Sequence, residues 1–148
     1  MNRKLRLGLW LGTPLLCLIT LGWGVRMLRA QQAPPKQNPN FQGTVLTVTE
    51  NSQGAIAHYR FEPGARTKWH VHEKGQIILV EEGVGHYQLK GGPVMELRAG
   101  ETTYCPPGVP HWHGAAPDQG GTQFNVSRGG ITWLEEVTDK EFSAPARH

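Results

Sequence analysis

The stretch "KWHVHEKGQ", residues 68–76, sets two histidines one residue apart and a glutamine four positions after the second. On an extended strand, side chains at i and i+2 share a face. His70 and His72 therefore point together, with Trp69 and Val71 on the other side. Two neutral imidazoles on one face can grip a divalent transition metal, but two ligands do not complete a site. Taken alone, the pattern reads better as a strand bearing two packed or solvated histidines. A second pair changes the balance: "PPGVPHWHGAAP", residues 106–117, carries His111 and His113 at the same spacing. Four of the seven histidines thus fall into two matched pairs on two strands, an arrangement that scattered histidines seldom produce.

The surrounding chain reads as short strands closed by turns. "GTVLTVTE" (43–50) and "GAIAHYRFEPG" (54–64) alternate apolar with polar residues and stop at turn residues. "QIILVEEG" (76–83), "GHYQLKGG" (85–92), "PVMELRAG" (93–100), "ETTYCPPG" (101–108), "TQFNVSRGG" (122–130) and "ITWLEEVTD" (131–139) follow at steady intervals. Nearly all are bounded by Gly or Pro and none holds a helical period, which predicts an all-β sandwich or barrel. "TDKE", Thr138 to Glu141, is a capping-box pattern that starts one short terminal helix.

The 148 residues make room for one ordinary domain and an extension. The formal charge of +3 is unevenly placed. Residues 1–36 hold six basic groups (Arg3, Lys4, Arg6, Arg26, Arg29, Lys36) and no acidic one; the other nine Lys/Arg face twelve Asp/Glu, a net of about −3. The domain itself shows no basic stripe, so nucleic acid is set aside as a partner. Arg3, Lys4 and Arg6 before the apolar run Leu7 to Val25 form a targeting signal, with small residues at Ala30 and Ala33 as cleavage positions. The run also approaches the length of a spanning helix. Residues 1–30 therefore read as a signal peptide or an uncleaved N-terminal anchor, with residues 7–25 the only membrane contact. Either way the domain is exported, periplasmic or secreted. Cys17 lacks the small preceding residue of a lipoprotein cysteine. Residues 31–40 lie in the polar, proline-rich tract "AQQAPPKQNPN" and read as a linker; residues 41–142 form the domain and 143–148 a tail. Loss of Cys17 with the signal leaves Cys105 alone, so the domain holds by packing without a disulfide.

Here the chain resembles the cupin superfamily. Gly64, His70, His72, Gln76 and Gly83 resemble its first motif, G-x5-H-x-H-x3,4-E-x6-G, with Gln in place of the usual Glu. Gly100, Pro106, Gly108 and His111 resemble the second, G-x5-P-x-G-x2-H, whose usual final Asn is replaced here by Ala115. The resemblance implies a small jelly-roll barrel with a divalent metal inside, and a homo-oligomer. "FEPGARTKWHVHEKGQ", "PPGVPHWHGAAP" and "WLEEVTDKEF" are closer to the small bacterial single-domain cupins that include the manganese-dependent hydroxynitrile lyases. That implies metal ligands His70, His72, Gln76 and His111, with Mn²⁺ the expected ion, and His113 acting near the substrate. Where those lyases have a further catalytic histidine, this chain has Gln123, which can hydrogen-bond a substrate but cannot exchange a proton near neutral pH.

Three imidazoles and an amide oxygen would leave the cation its full 2+ charge, where a carboxylate would cut it to 1+. Such a site is the stronger Lewis acid and the poorer stabiliser of a 3+ ion. Ligand type admits Fe²⁺, Ni²⁺ or Zn²⁺ as well. The reading is a metal-dependent enzyme, lyase-like or proton-transferring, on a small oxygen-bearing organic molecule. His113 is the proton carrier, and Gln123 orients the substrate. The alternatives are an Fe²⁺-dependent cupin dioxygenase or other oxidoreductase and a non-catalytic metal- or ligand-binding cupin. His58 and His86 are read as non-ligands, His58 solvated, and His148 as a disordered end. Cys105 is read as packed or barrel-lining, not nucleophilic. Trp69, Trp112, Trp133 and Phe124 are core or pocket walls.

Overall fold

A computed structural model describes residues 38–51 and 55–148. The expected signal or anchor over 1–30, and the linker up to residue 37, lie outside the described residues. The elements run β1 (Phe41–Gln42), β2 (Val45–Glu50), β3 (Ile56–Phe61), β4 (Arg66–Thr67), β5 (His70–His72), β6 (Gln76–Leu89), β7 (Val94–Arg98), β8 (Thr102–Cys105), β9 (His111–Ala115), β10 (Gly121–Ser127), β11 (Ile131–Trp133) and α1 (Asp139–Phe142).

All the ladders between these strands are antiparallel, and they fall into two sheets sharing β6. The first half of β6 pairs with β8 and β10, and β10 continues through β3 to β2. Its second half pairs with β7 and β9, and β9 carries β4 and β5. The chain thus forms an all-β jelly roll. Sequence reading splits residues 76–92 into two strands at "EEGVG", whereas the structure has one 14-residue strand. Gly83, at φ +73°, makes the difference: it bends β6 from one sheet into the other, and a Cβ there would meet the Gly120 carbonyl oxygen at 2.0 Å. The turn signal is a corner rather than a break.

Strand alternation separates chemistry from packing. His70 and His72 face one way on β5, so Trp69 faces the other; on β9, Trp112 is opposed in the same manner to His111 and His113. Trp69 and Trp112 are buried with Val94, Val137 and Phe142, beneath the C-terminal segment. Removing side chains of this size from water stabilises by about 2–3 kcal/mol each. A second cluster, Phe61, Ala65 and Ala115, is joined by Phe41, Val45 and Tyr59. All five residues of β9 are buried, as expected of a strand covered on both faces.

The terminal helix has the capping box expected from "TDKE": Thr138 accepts from the Glu141 amide and Glu141 reaches back to the Thr138 amide. Arg66 ties that segment to the sheet, donating to the Val137 carbonyl at 3.1 Å and to Asp139 at 2.8 Å. The C-terminal end is anchored rather than free. Arg147 exchanges backbone hydrogen bonds with Val94 and Glu96, and His148 reaches Glu101. His58 also departs from expectation: it is half-buried between Glu81 and Phe124 instead of solvated. His86 is buried near Phe142.

Candidate metal centre

Register builds the site. His70 on β5 stands directly across from His111 on β9, with ring centroids 4.3 Å apart. The turn at Gly75 (φ +83°) returns the chain so that Gln76 opens β6 at the same depth. His70, His72 and His111 are all buried, and one ring nitrogen of each lies within 4.8 Å of the others. The Gln76 Oε1 is 2.8 Å from His111 Nε2 and 3.5 Å from His70 Nε2. The four residues singled out as ligands therefore converge on one point.

The hydrogen bonds behind the rings fix which nitrogen faces that point. His70 Nδ1 donates to the Lys68 carbonyl at 2.9 Å, and His111 Nδ1 donates to the Val109 carbonyl at 3.0 Å. In a neutral ring this leaves Nε2 as a bare lone pair. Carbonyl-oriented imidazoles of this kind are the usual setting of histidine ligands. At His111 the lone pair meets the lone pairs of Gln76 Oε1, an acceptor against an acceptor, which is repulsive unless a cation lies between them. Protonation does not relieve it. Burial, reinforced by the neighbouring histidines, holds His70 well below the ordinary histidine range and brings His72 down to about 4; burial also lowers His111. His72, 4% exposed, has no hydrogen-bond partner on either nitrogen. The donor set and these unpaired atoms fit a divalent ion bound by three imidazoles and one amide oxygen.

His113 lies next to this group, its ring centroid 5.4 Å from that of His70. Its Nδ1 donates to Gln123 Oε1 at 2.7 Å, and Gln123 Nε2 donates to the Gly114 carbonyl at 2.7 Å. Both ends of the Gln123 amide are thus engaged, and its orientation is set. Gln123 is 1% exposed and absent from the lining of the adjoining cavity, which His113 does line. Gln123 is expected to orient a substrate; in the structure its amide lies behind the imidazole, bonded to His113 and to the Gly114 carbonyl. Gly85 makes room for it: a Cβ there would stand 2.8 Å from Gln123 Nε2. Burial, reinforced by His111, lowers His113 to about 3.

The cavity holds about 200 Å³ and is lined by His70, His72, Gln76 and His113 at its base. Phe41, Ile131 and Trp133 give it an apolar side; Glu50, Tyr59 and Asn125 give it a polar one. Trp133 sits against His70, ring centroids 4.9 Å apart, so of the described tryptophans it is the pocket wall while Trp69 and Trp112 are core. Tyr59 is pushed up to about 12 by burial and by the carboxylate of Glu50, and so remains a phenol. Sequence reading missed Asn125. The period of two that makes Gln123 inward-facing makes Asn125 so as well, and that signal was available. Cys105 is fully buried, its thiol pushed up to about 12 by burial, and it takes no part in the cluster.

Comparison with known proteins agrees with this architecture. The cupin domain family matches residues 57–124, which include all four converging residues. An (R)-mandelonitrile lyase from Granulicella tundricola is 41% identical over 92 residues, covering 60% of this chain and 70% of that protein. A cupin-like protein from Thermotoga maritima superposes with TM-score 0.63 at 38% identity, covering 75% of this chain and 92% of its own. A polyketide cyclase from Streptomyces resistomycificus shares the fold, with TM-score 0.54 at 22% identity over 72% of this chain and 79% of that one. On the motifs, the barrel and these matches, the chain belongs to the cupin family.

Proposed function

We propose that this cupin is a divalent-metal-dependent enzyme, with Mn²⁺ the expected ion, that performs lyase-type proton transfer on a small oxygen-bearing molecule. The observation that carries the reading is His113: buried beside the three-histidine cluster, lining the cavity, with its Nδ1 proton committed to Gln123. Its Nε2 is then the unprotonated nitrogen, the form a general base requires. Similarity to an (R)-mandelonitrile lyase supports a cyanohydrin as the first substrate to try.

A divalent ion held by His70, His72, His111 and Gln76 would keep its 2+ charge against these neutral groups and would supply Lewis acidity to a neighbouring hydroxyl or carbonyl. His113 Nε2 takes the hydroxyl proton of the cyanohydrin. The carbon–cyanide bond breaks, cyanide leaves with the bonding pair, and the former hydroxyl carbon becomes an aldehyde carbonyl. His113 then returns the proton to cyanide, because Gln123 cannot carry one. Atoms balance as cyanohydrin to aldehyde plus hydrogen cyanide. The basic and apolar N-terminal run supports export, and cupin membership supports self-association.

Release of benzaldehyde from mandelonitrile by manganese-loaded protein tests the reading. We expect release that disappears with chelator and falls by about 10²–10⁴-fold in His113→Ala, the usual worth of a positioned acid–base group. Release no faster than in protein-free buffer would sink the lyase reading. Oxygen uptake with the same loaded protein would then favour the oxidoreductase alternative.

A further inference from the structure

The inner face of β10 carries a residue with no task in the metal centre. Asn125 is 2% exposed and lines the cavity together with His70, His72, Gln76 and His113. Its Nδ2 donates to the Gln123 backbone carbonyl at 3.3 Å, while its Oδ1 has no hydrogen-bond partner. A buried acceptor left unpaired lowers stability, and native proteins seldom keep one without a use for it. Its neighbours across the ladders, Ala57 on β3 and Ile78 on β6, are apolar, so an apolar residue would suit this position on packing grounds. Glu50, the carboxylate on the lining, is exposed and already hydrogen-bonded with Tyr59.

We infer that Asn125 Oδ1 accepts a hydrogen bond from an O–H or N–H of the molecule bound in this cavity, and so selects ligands that carry such a donor. The inference rests on the reading of the cavity as a substrate site. Its other walls narrow the class further. Phe41, Ile131 and Trp133 offer an apolar or aromatic body a place opposite the polar strand. About 200 Å³ is smaller than the sites that hold drug-sized ligands. The ligand is therefore a small molecule with an apolar or aryl body and a single donor directed at β10. A site with a built-in polar partner rejects the analogue that lacks the matching group, because its own atom stays unpaired in the complex.

Benzyl alcohol and benzyl methyl ether differ in that donor and undergo no cyanide loss, so they probe the inference apart from turnover. Titration of manganese-loaded full-length chain, followed by tryptophan fluorescence, should show the alcohol bound about tenfold tighter than the ether. Asn125→Ala should bring the two affinities within about twofold, and Asn125→Asp, which keeps an acceptor, should retain the preference. In metal-free protein, Asn125→Ala should change the Tm little, since removal of the unpaired Oδ1 offsets loss of the long Nδ2 bond to the Gln123 carbonyl. A structural asparagine would behave oppositely, lowering Tm and leaving the alcohol-to-ether ratio alone. Equal ratios in wild type and Asn125→Ala, or binding of neither probe, overturns the inference. Metal content of the same samples separates the two claims. Retained preference in protein that takes up no manganese would fell the proposed metal chemistry and leave Asn125 its role; normal manganese with no preference does the reverse.

Discussion

His113 donates its Nδ1 proton to Gln123 Oε1 across 2.7 Å, and Gln123 is itself locked by its bond to the Gly114 carbonyl. One amide thereby selects the tautomer of the imidazole beside the three-histidine cluster. Gln123→Leu would leave the buried His113 Nδ1–H without a partner, while the Gly114 carbonyl keeps its place opposite His86 in the β6–β9 ladder. At about 1–3 kcal/mol for a buried polar group left unpaired, the variant should lose roughly that much by denaturant titration. Its metal content should stay that of wild type, because no ligand is touched. Loss of metal together with stability would show that Gln123 supports the cluster itself.

Gln123→His places a second titratable ring in contact with the first. If shuttling the proton through one imidazole limits cyanohydrin cleavage, this variant should release benzaldehyde faster than wild type by about tenfold or more. An unchanged rate under saturating manganese would show that the proton path does not pass position 123.

Gln76→Glu keeps an oxygen at the point where the His70 and His111 nitrogens meet, but adds a negative charge. Metal affinity should rise through charge attraction while the acidity of anything bound beside the ion drops. Competition with a chelator should therefore show tighter manganese, and benzaldehyde release should decline. Parallel gains in both would contradict the argument that neutral ligands preserve the charge used in catalysis.

Much of this site is legible in the chain because strand alternation is a strict rule. Two HxH pairs and a glutamine four residues past the first declare one inward face, and the opposite face must then hold Trp69 and Trp112. What the alternation does not disclose is how neighbouring strands interdigitate. Gln123 faces inward as expected, yet whether it meets a substrate or His113 depends on the β9–β6–β10 arrangement and on the space left by Gly85. Likewise "EEGVG" carries every local mark of a turn, and only the sheets on either side make it a bend within β6. His148 shows the same limit: a backbone bridge between Arg147 and Met95 holds an end that composition alone marks as loose.

Cys105 is buried at the end of β8, paired in register with Gln76, and its thiol is pushed up to about 12 by burial alone. The thiolate is the reactive species, so native protein should react with a thiol-specific reagent at about a thousandth of the rate of an exposed cysteine. Denaturant should restore ordinary reactivity. Fast labelling of native, metal-loaded protein would show that the barrel opens at β8 far more readily than its packing implies.

Metal-free protein should lose stability as pH falls, and the histidines give the window. Burial and mutual proximity put His72 at about 4 and His113 at about 3, with His70 well below its ordinary value. In the unfolded chain each titrates near 6.5. Above that value neither state binds the protons, and the folded state is at full strength. Below it the unfolded chain takes up protons that the folded barrel refuses, so unfolding is favoured, increasingly down to the folded values near 4 and 3. Each unit of separation corresponds to about 1.4 kcal/mol, so three such groups outweigh most single contacts in the domain. Melting of chelator-treated protein should therefore show a Tm that is flat above about pH 7 and declines steadily from pH 6 toward pH 4. His72→Asn should flatten part of the decline, since it removes one buried proton-refusing ring. Manganese at about a hundred times its Kd should raise Tm by roughly 10 °C at pH 7.5. That rise should shrink as protons compete for the same nitrogens. A Tm insensitive to pH in the metal-free protein would mean that these rings are solvated when the barrel is empty, and that the cluster is assembled by the metal rather than by the fold.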